Sequence, residues 1–202
     1  MQKLLLFLLL AILSCQQNGS YQPKSISRDA QTNRLDFMDA EFDLPKQYAP
    51  IVLNVLTKKL LHGTIDSATH REVSKLLDAG VVKKSGITYF DTLLYANYIV
   101  FESGKYMEIS KEVASYYIGI LEDELNNKWE RKGTRYERME SKYFSGSNAQ
   151  VVKIKYKVHY KHGLRYVTQY LMSANQRTMS VVVTRMDEDD FEDLVMKVRF
   201  IE

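Results

Sequence analysis

The chain holds one cysteine, Cys15, so no disulfide can form within it and no thiolate cluster is present to bind a metal. It has no excess charge of either sign: 28 Lys and Arg face 25 Asp and Glu. Removal of residues 1–14 would take away only Lys3 among these. That near balance argues against a nucleic-acid partner, which calls for a marked basic surplus. No internal repeat, GxSxG elbow, Walker loop or GxGxxG fingerprint occurs, so no cofactor is expected. Such absences lower the odds of an enzyme without excluding one, because a triad assembled in space leaves no linear trace. His159 and His162 lack an HExxH context, and the run from Asp187 to Asp190 lacks the loop glycine and ligand spacing of an EF-hand, so no metal is expected. The acids are read instead as a helix start, where negative charge favours the positive end of the dipole.

One apolar run is present. Lys3 precedes LLLFLLLAIL, and Ser14-Cys15 closes it. A basic residue followed by such a stretch has the form of a secretory signal. At about ten residues it spans roughly 15 Å as a helix, against the ~30 Å of a bilayer core, which argues against a lasting transmembrane span. Ile12-Leu13-Ser14-Cys15 resembles a bacterial lipobox. That resemblance implies cleavage before Cys15, lipidation of its thiol and attachment to a membrane facing the periplasm. The expected domain plan is a signal peptide at 1–14, a lipidated flexible tether at 15–34 and one domain at 35–202. Residues 16–33 are polar, with Gly19 and Pro23, and have an expected mean reach of roughly 20–25 Å.

Beyond the tether, 26% charged and 11% aromatic residues describe an ordinary globular domain. Residues 35–45 predict a short strand with Phe42 and Leu44 on one face. Val52, Leu56 and Leu60 after Pro50, and Val73, Leu76 and Leu77 after the capping box at Thr69, predict two helices. Residues 81–106 supply strands, the clearest at 98–102. Ser110 caps a helix at 111–126 with Val113, Tyr117, Ile120 and Leu121 on its apolar face. Then come strands at 134–144, 149–160, 164–172 and 178–185, and a closing helix with Phe191, Leu194, Val195 and Val198 as its buried stripe. Val152, Ile154, Tyr156, Val158 and Tyr160 alternate strictly with Lys153, Lys155, Lys157 and His159, which assigns the first set to the core and the second to solvent.

The predicted class is therefore α+β, an antiparallel β-meander packed against helices. Its element order, the Leu44-Pro45 strand exit and the closing helix resemble the Mog1/PsbP-like sandwich, at about residues 42–201. The family implies accessory or binding roles and carries over no catalytic residues.

Two surfaces have competing readings. Lys153, Lys155 and Lys157, with Arg165 on the adjoining strand, form a basic ladder that would suit anionic headgroups or an acidic partner. A solvated sheet face is favoured, since alternating lysines are usual there. Tyr89, Phe90, Tyr95, Tyr98, Phe101 and Tyr106 would suit an aromatic-walled pocket for a sugar or an apolar ligand, but strand packing is favoured. The functional expectation is a membrane-tethered, non-catalytic envelope lipoprotein that binds or assists an envelope protein or glycan. The alternative is a motif-poor hydrolase of peptidoglycan or glycan with His159 or His162 as base.

Overall fold

The computed structural model describes residues 28–50, 86–125, 133–145, 149–160 and 163–201. The two helices expected between Pro50 and Gly80, the expected lipidation site Cys15 and His162 lie outside the described residues.

Strand β1 (Ala30–Leu35), a 3-10 turn (Asp36–Met38), β2 (Ala40–Pro45) and β3 (Tyr48–Pro50) open the described chain. They are followed by β4 (Gly86–Asp91), β5 (Tyr98–Gly104), helix α1 (Lys111–Glu124), β6 (Arg135–Ser145), β7 (Gln150–Tyr160), β8 (Gly163–Ala174) and β9 (Arg177–Arg185). Helix α2 (Glu192–Val195) and β10 (Arg199–Phe200) close it. The strands form a 3-stranded sheet, β1-β2-β10, and a 7-stranded sheet, β3-β4-β5-β9-β8-β7-β6. All pairings are antiparallel. Among the described residues the architecture is sheet-rich with few helices, more strongly β than the expected α+β balance.

The large sheet is covered on both faces. On one, Val152, Ile154, Val158 and Leu171 pack with Ile109 and Ala114, and Tyr117, Ile118 and Leu121 of α1 lie against them. Ser110 starts this helix by accepting the Val113 N–H at 3.3 Å. Ile120, expected on the buried stripe, is 46% exposed, so the contacting face is turned toward Tyr117 and Leu121.

On the other face, β2, α2 and the start of β3 close over Phe101, Tyr170, Met172 and Val181. Phe42 meets Phe101 edge-on with ring centroids 4.6 Å apart. The aromatics of the 89–106 stretch divide between the two faces. Tyr89 pairs with Ile99 in the ladder and meets Phe101 edge-on, whereas Phe90 pairs with Tyr98 and lies beside Tyr95. They therefore form no shared pocket.

Two expectations need correction. β1 pairs along its whole length with β2 through residues assigned to the tether, so the folded domain begins by Arg28 rather than at Leu35. The closing helix is one turn, 4 residues long. The acids before it adopt successive side-chain turns: Asp187, Asp189 and Asp190 accept the backbone N–H groups of Asp189, Phe191 and Glu192. They shape a connection and do not start a long helix.

Candidate functional site

From Asp187 to Asp193 every residue but Phe191 is acidic. This run lies across the lysine-bearing face of the large sheet and builds two adjoining charge clusters.

The first is centred on Lys153, which is 2% exposed. Its Nζ lies 2.8 Å from Glu140 Oε2 and 2.8 Å from Asp190 Oδ2, and it also contacts Glu192 Oε2. Lys142 reaches Glu140 at 2.8 Å and Glu192 at 3.1 Å. Lys155 donates to Asp190 at 3.1 Å and to the Glu188 carbonyl. Burial by itself lowers the Lys153 pKa, but hydrogen bonds to Asp190, Glu140 and Glu192 outweigh it and leave the ammonium above its ordinary value. Asp190 and Glu140, each penalised by burial, are nonetheless held below the usual carboxylate range by Lys153 with Lys155 and Lys142 respectively. Carboxylate oxygens of Glu140, Asp190 and Glu192 lie within 4.8 Å of one another, close enough to chelate a cation. The Lys153 ammonium sits among them and supplies that positive charge, so the trio is an ion-pair site.

The second cluster walls a cleft of about 200 Å³ lined by Arg28, Asp29, Pro45, Gln47, Arg185 and Phe191. Arg28 forks onto Asp189 at 2.6 and 2.7 Å and reaches Asp193 at 3.2 Å. Arg185 forks onto Asp187 at 2.6 and 2.7 Å and donates to the Tyr48 hydroxyl at 2.7 Å. Both guanidinium carbons lie over the Phe191 ring, 4.6 and 4.7 Å from its centroid. Phe191 itself has φ 58°, a left-handed conformation that costs a residue of this size about 1–2 kcal/mol. Its N–H is held by Asp189 Oδ1, and its carbonyl accepts from Leu194 and Val195, both at 2.9 Å. The backbone thus gives up a relaxed conformation to place this ring between the two arginines.

Four groups of this cluster have pKa values shifted by their surroundings. Asp187 is lowered, first by its hydrogen bond with Arg185. Tyr48 is raised, first by burial. Burial lowers Arg28 and Arg185, but their carboxylate partners reverse this and leave both raised. None of these shifts prepares a group to exchange a proton near pH 7. The three described hydrogen bonds of Arg185 engage its Nε and one N–H on each Nη, leaving one N–H on each Nη without a described partner. The cleft is therefore lined by a guanidinium with hydrogen-bonding capacity to spare.

The sequence-predicted ladder is not brought together. Lys153 is buried and ion-paired instead of solvent-facing, and Lys155 is pinned beside it. Lys157 pairs across the sheet with Tyr166, while Arg165 pairs with Val158. Since neighbouring residues of a strand point to opposite faces, Arg165 lies on the face opposite the lysines. His159 lies 3.8 Å from Glu137, and neither residue lines the cleft. The residues that form the cleft were missed because they are scattered through the chain. Arg28 lies in the supposed tether, Arg185 precedes the acids and Phe191 interrupts them. The usable signal was the density of acids, which demands compensating cations.

No family model matches the chain, and no curated protein does. Among solved structures, the solution structure of cyanobacterial PsbP (CyanoP) from Synechocystis sp. PCC 6803 is similar, with TM-score 0.53 and 7% sequence identity. The match covers 92% of this chain and 100% of that one. The fold is PsbP-like, and at this identity the likeness concerns the fold alone.

Proposed function

We propose that the protein is a membrane-tethered envelope lipoprotein whose domain is a non-catalytic binding or accessory module for an envelope protein or glycan. The observation that carries this reading is the separation of the cleft from the histidine–carboxylate pair. A hydrolase with His159 as its base would hold His159 and Glu137 within the cleft, beside the bond to be broken. Here the cleft is walled by the guanidinium groups of Arg28 and Arg185, each paired with a carboxylate, together with Gln47 and Asp29. Such a wall suits a ligand rich in acceptors, either a peptide carbonyl or carboxylate or a sugar hydroxyl. Attachment through Cys15 follows from the resemblance of residues 12–15 to a lipobox. Two acyl chains would hold the domain stably at a bilayer without embedding it.

A photo-crosslinker placed at Gln47 in the membrane-attached protein tests the binding reading. A saturable adduct with one envelope protein or glycan fragment, lost in Arg185→Gln, is expected. In parallel, labelled peptidoglycan should release no soluble fragments. Release that depends on His159 would overturn the proposal. Labelled palmitate should enter the wild type and not Cys15→Ala; an unlabelled wild type would remove the lipoprotein part.

A further inference from the structure

The connection from β4 to β5 carries Leu93 and Leu94, which are 83% and 44% exposed. This connection is a built turn. Asp91 Oδ1 accepts the Leu93 N–H at 2.9 Å and the Leu94 N–H at 3.3 Å. The Asn97 N–H returns to the Leu94 carbonyl at 2.8 Å, and buried Asn97 also holds Met186 through its backbone N–H at 2.9 Å. Met186 is itself 46% exposed, so a third apolar side chain flanks the turn. No residue from Thr92 to Asn97 is charged. The two leucines are thus presented on a preorganised, uncharged tip.

The tip lies at the end of the domain where the N-terminal stretch enters. The Thr92 N–H bonds to the Gln47 carbonyl at 2.9 Å, and Gln47 lines the same cleft as Arg28, the first described residue. If the polar stretch between Cys15 and Arg28 is the tether its composition predicts, its mean reach is about 20 Å. Strand β7, with 11 residues, is about 36 Å long, so the far end of the sheet lies well beyond that reach. A lipid on Cys15 would therefore hold this end, and not the β8–β9 hairpin end, against the bilayer.

We infer that the Leu93–Leu94 turn, with Met186 beside it, is a membrane-docking tip that seats in the interfacial layer of a phospholipid bilayer and fixes the orientation of the tethered domain. This rests on the lipoprotein reading for proximity. The turn itself supplies the insertion: two apolar side chains enter the interface without ordering a loop and without moving a charge out of water. Docking should accordingly be insensitive to salt, unlike attraction through lysines. It would also set the cleft at a fixed height above the membrane surface.

The test uses the full chain, processed in cells and reconstituted in vesicles of phosphatidylethanolamine and phosphatidylglycerol. With Cys15 acylated, Leu93→Cys provides a lone thiol for an environment-sensitive fluorophore, and Gln176→Cys at the opposite end is the reference. Lipids brominated in their acyl chains should quench the label at 93 several-fold more than that at 176, equally at low and moderate salt. A label at Met186→Cys should lose most of its quenching when Leu93→Ser and Leu94→Ser are added. Equal quenching at 93 and 176 overturns the inference, as does a label at 93 shielded from both water and bromolipid, which would mean that a protein partner covers the tip. Detergent-phase partitioning of the same sample reads the lipid separately. Protein in the detergent phase with its 93 label in water contradicts docking and leaves the lipoprotein reading intact. Protein in the aqueous phase contradicts the lipoprotein reading, and docking is then retained or overturned by whether excess vesicles quench the label at 93.

Discussion

On one face of β7, Val152, Ile154 and Val158 lie beneath α1 and the burial is mainly apolar. On the other, Lys153 and Lys155 lie beneath the acidic connection to α2, and the burial depends on paired charge. The strand alternates apolar and basic residues as a half-exposed strand would, yet both faces are covered. Alternation reports which side chains share a face and not what lies over them. A buried ammonium costs several kcal/mol unless carboxylates compensate it, so the basic face closes only because Glu140, Asp190 and Glu192 arrive from two other elements. The same acidic connection positions Asp187, Asp189 and Phe191 for the cleft, and so the charge-paired face supports the candidate site directly.

Truncation separates the two modes of burial. The largest expected effect is in the apolar part of the charged side, where Phe42→Ala should cost about 3–5 kcal/mol in urea unfolding, since its ring is 1% exposed and edge-on to Phe101. Beneath α1, Ile154→Ala should cost about 2–5 kcal/mol, and the loss should hold from pH 7 to pH 4, because the cluster around it is apolar apart from tyrosines, which stay protonated over that range. The smallest effect is expected at Lys155→Ala, at or below about 1 kcal/mol: this side chain meets one carboxylate and one carbonyl near the edge of the cluster. Equal losses at 154 and 155 would erase the distinction between the faces.

The wild-type pH profile carries the same contrast. Asp190 and Glu140 have folded pKa values below their ordinary ones, so their contribution is present above about pH 4 and is lost as pH falls through the folded values. Lys153 is raised, so its contribution is complete below about pH 10.4 and is lost as pH rises through its folded value. A plateau between these limits is expected in thermal melts followed by circular dichroism. A stability maximum confined to acid pH would contradict it.

Much of the architecture was legible because strands β5 to β9 have periodic apolar residues and turn signals between them. The turn at Asn175-Gln176, where both residues have positive φ, joins β8 and β9 where a hairpin connection was expected. β1 was not legible: its sequence, AQTNRL, is mostly polar and it pairs at an edge, so only Leu35 is fully buried. Arg165 was misplaced through register. The β7–β8 hairpin pairs Tyr160 with Gly163, which sets Val158, and not Lys157, opposite Arg165, and a shift of one residue exchanges the faces. The candidate cleft joins residues from both termini of the domain, and no local pattern announces such a meeting.

The direct test of charge-paired burial is urea unfolding of the wild type and Lys153→Met at pH 7 and at about pH 3. Methionine keeps a long apolar side chain and removes the charge, so three carboxylates would be left facing one another without their central cation. At pH 7 the variant should be about 3–5 kcal/mol less stable, and the gap should narrow at low pH as the carboxylates take up protons. A variant as stable as the wild type at pH 7, or a gap of the same size at both pH values, would contradict the account.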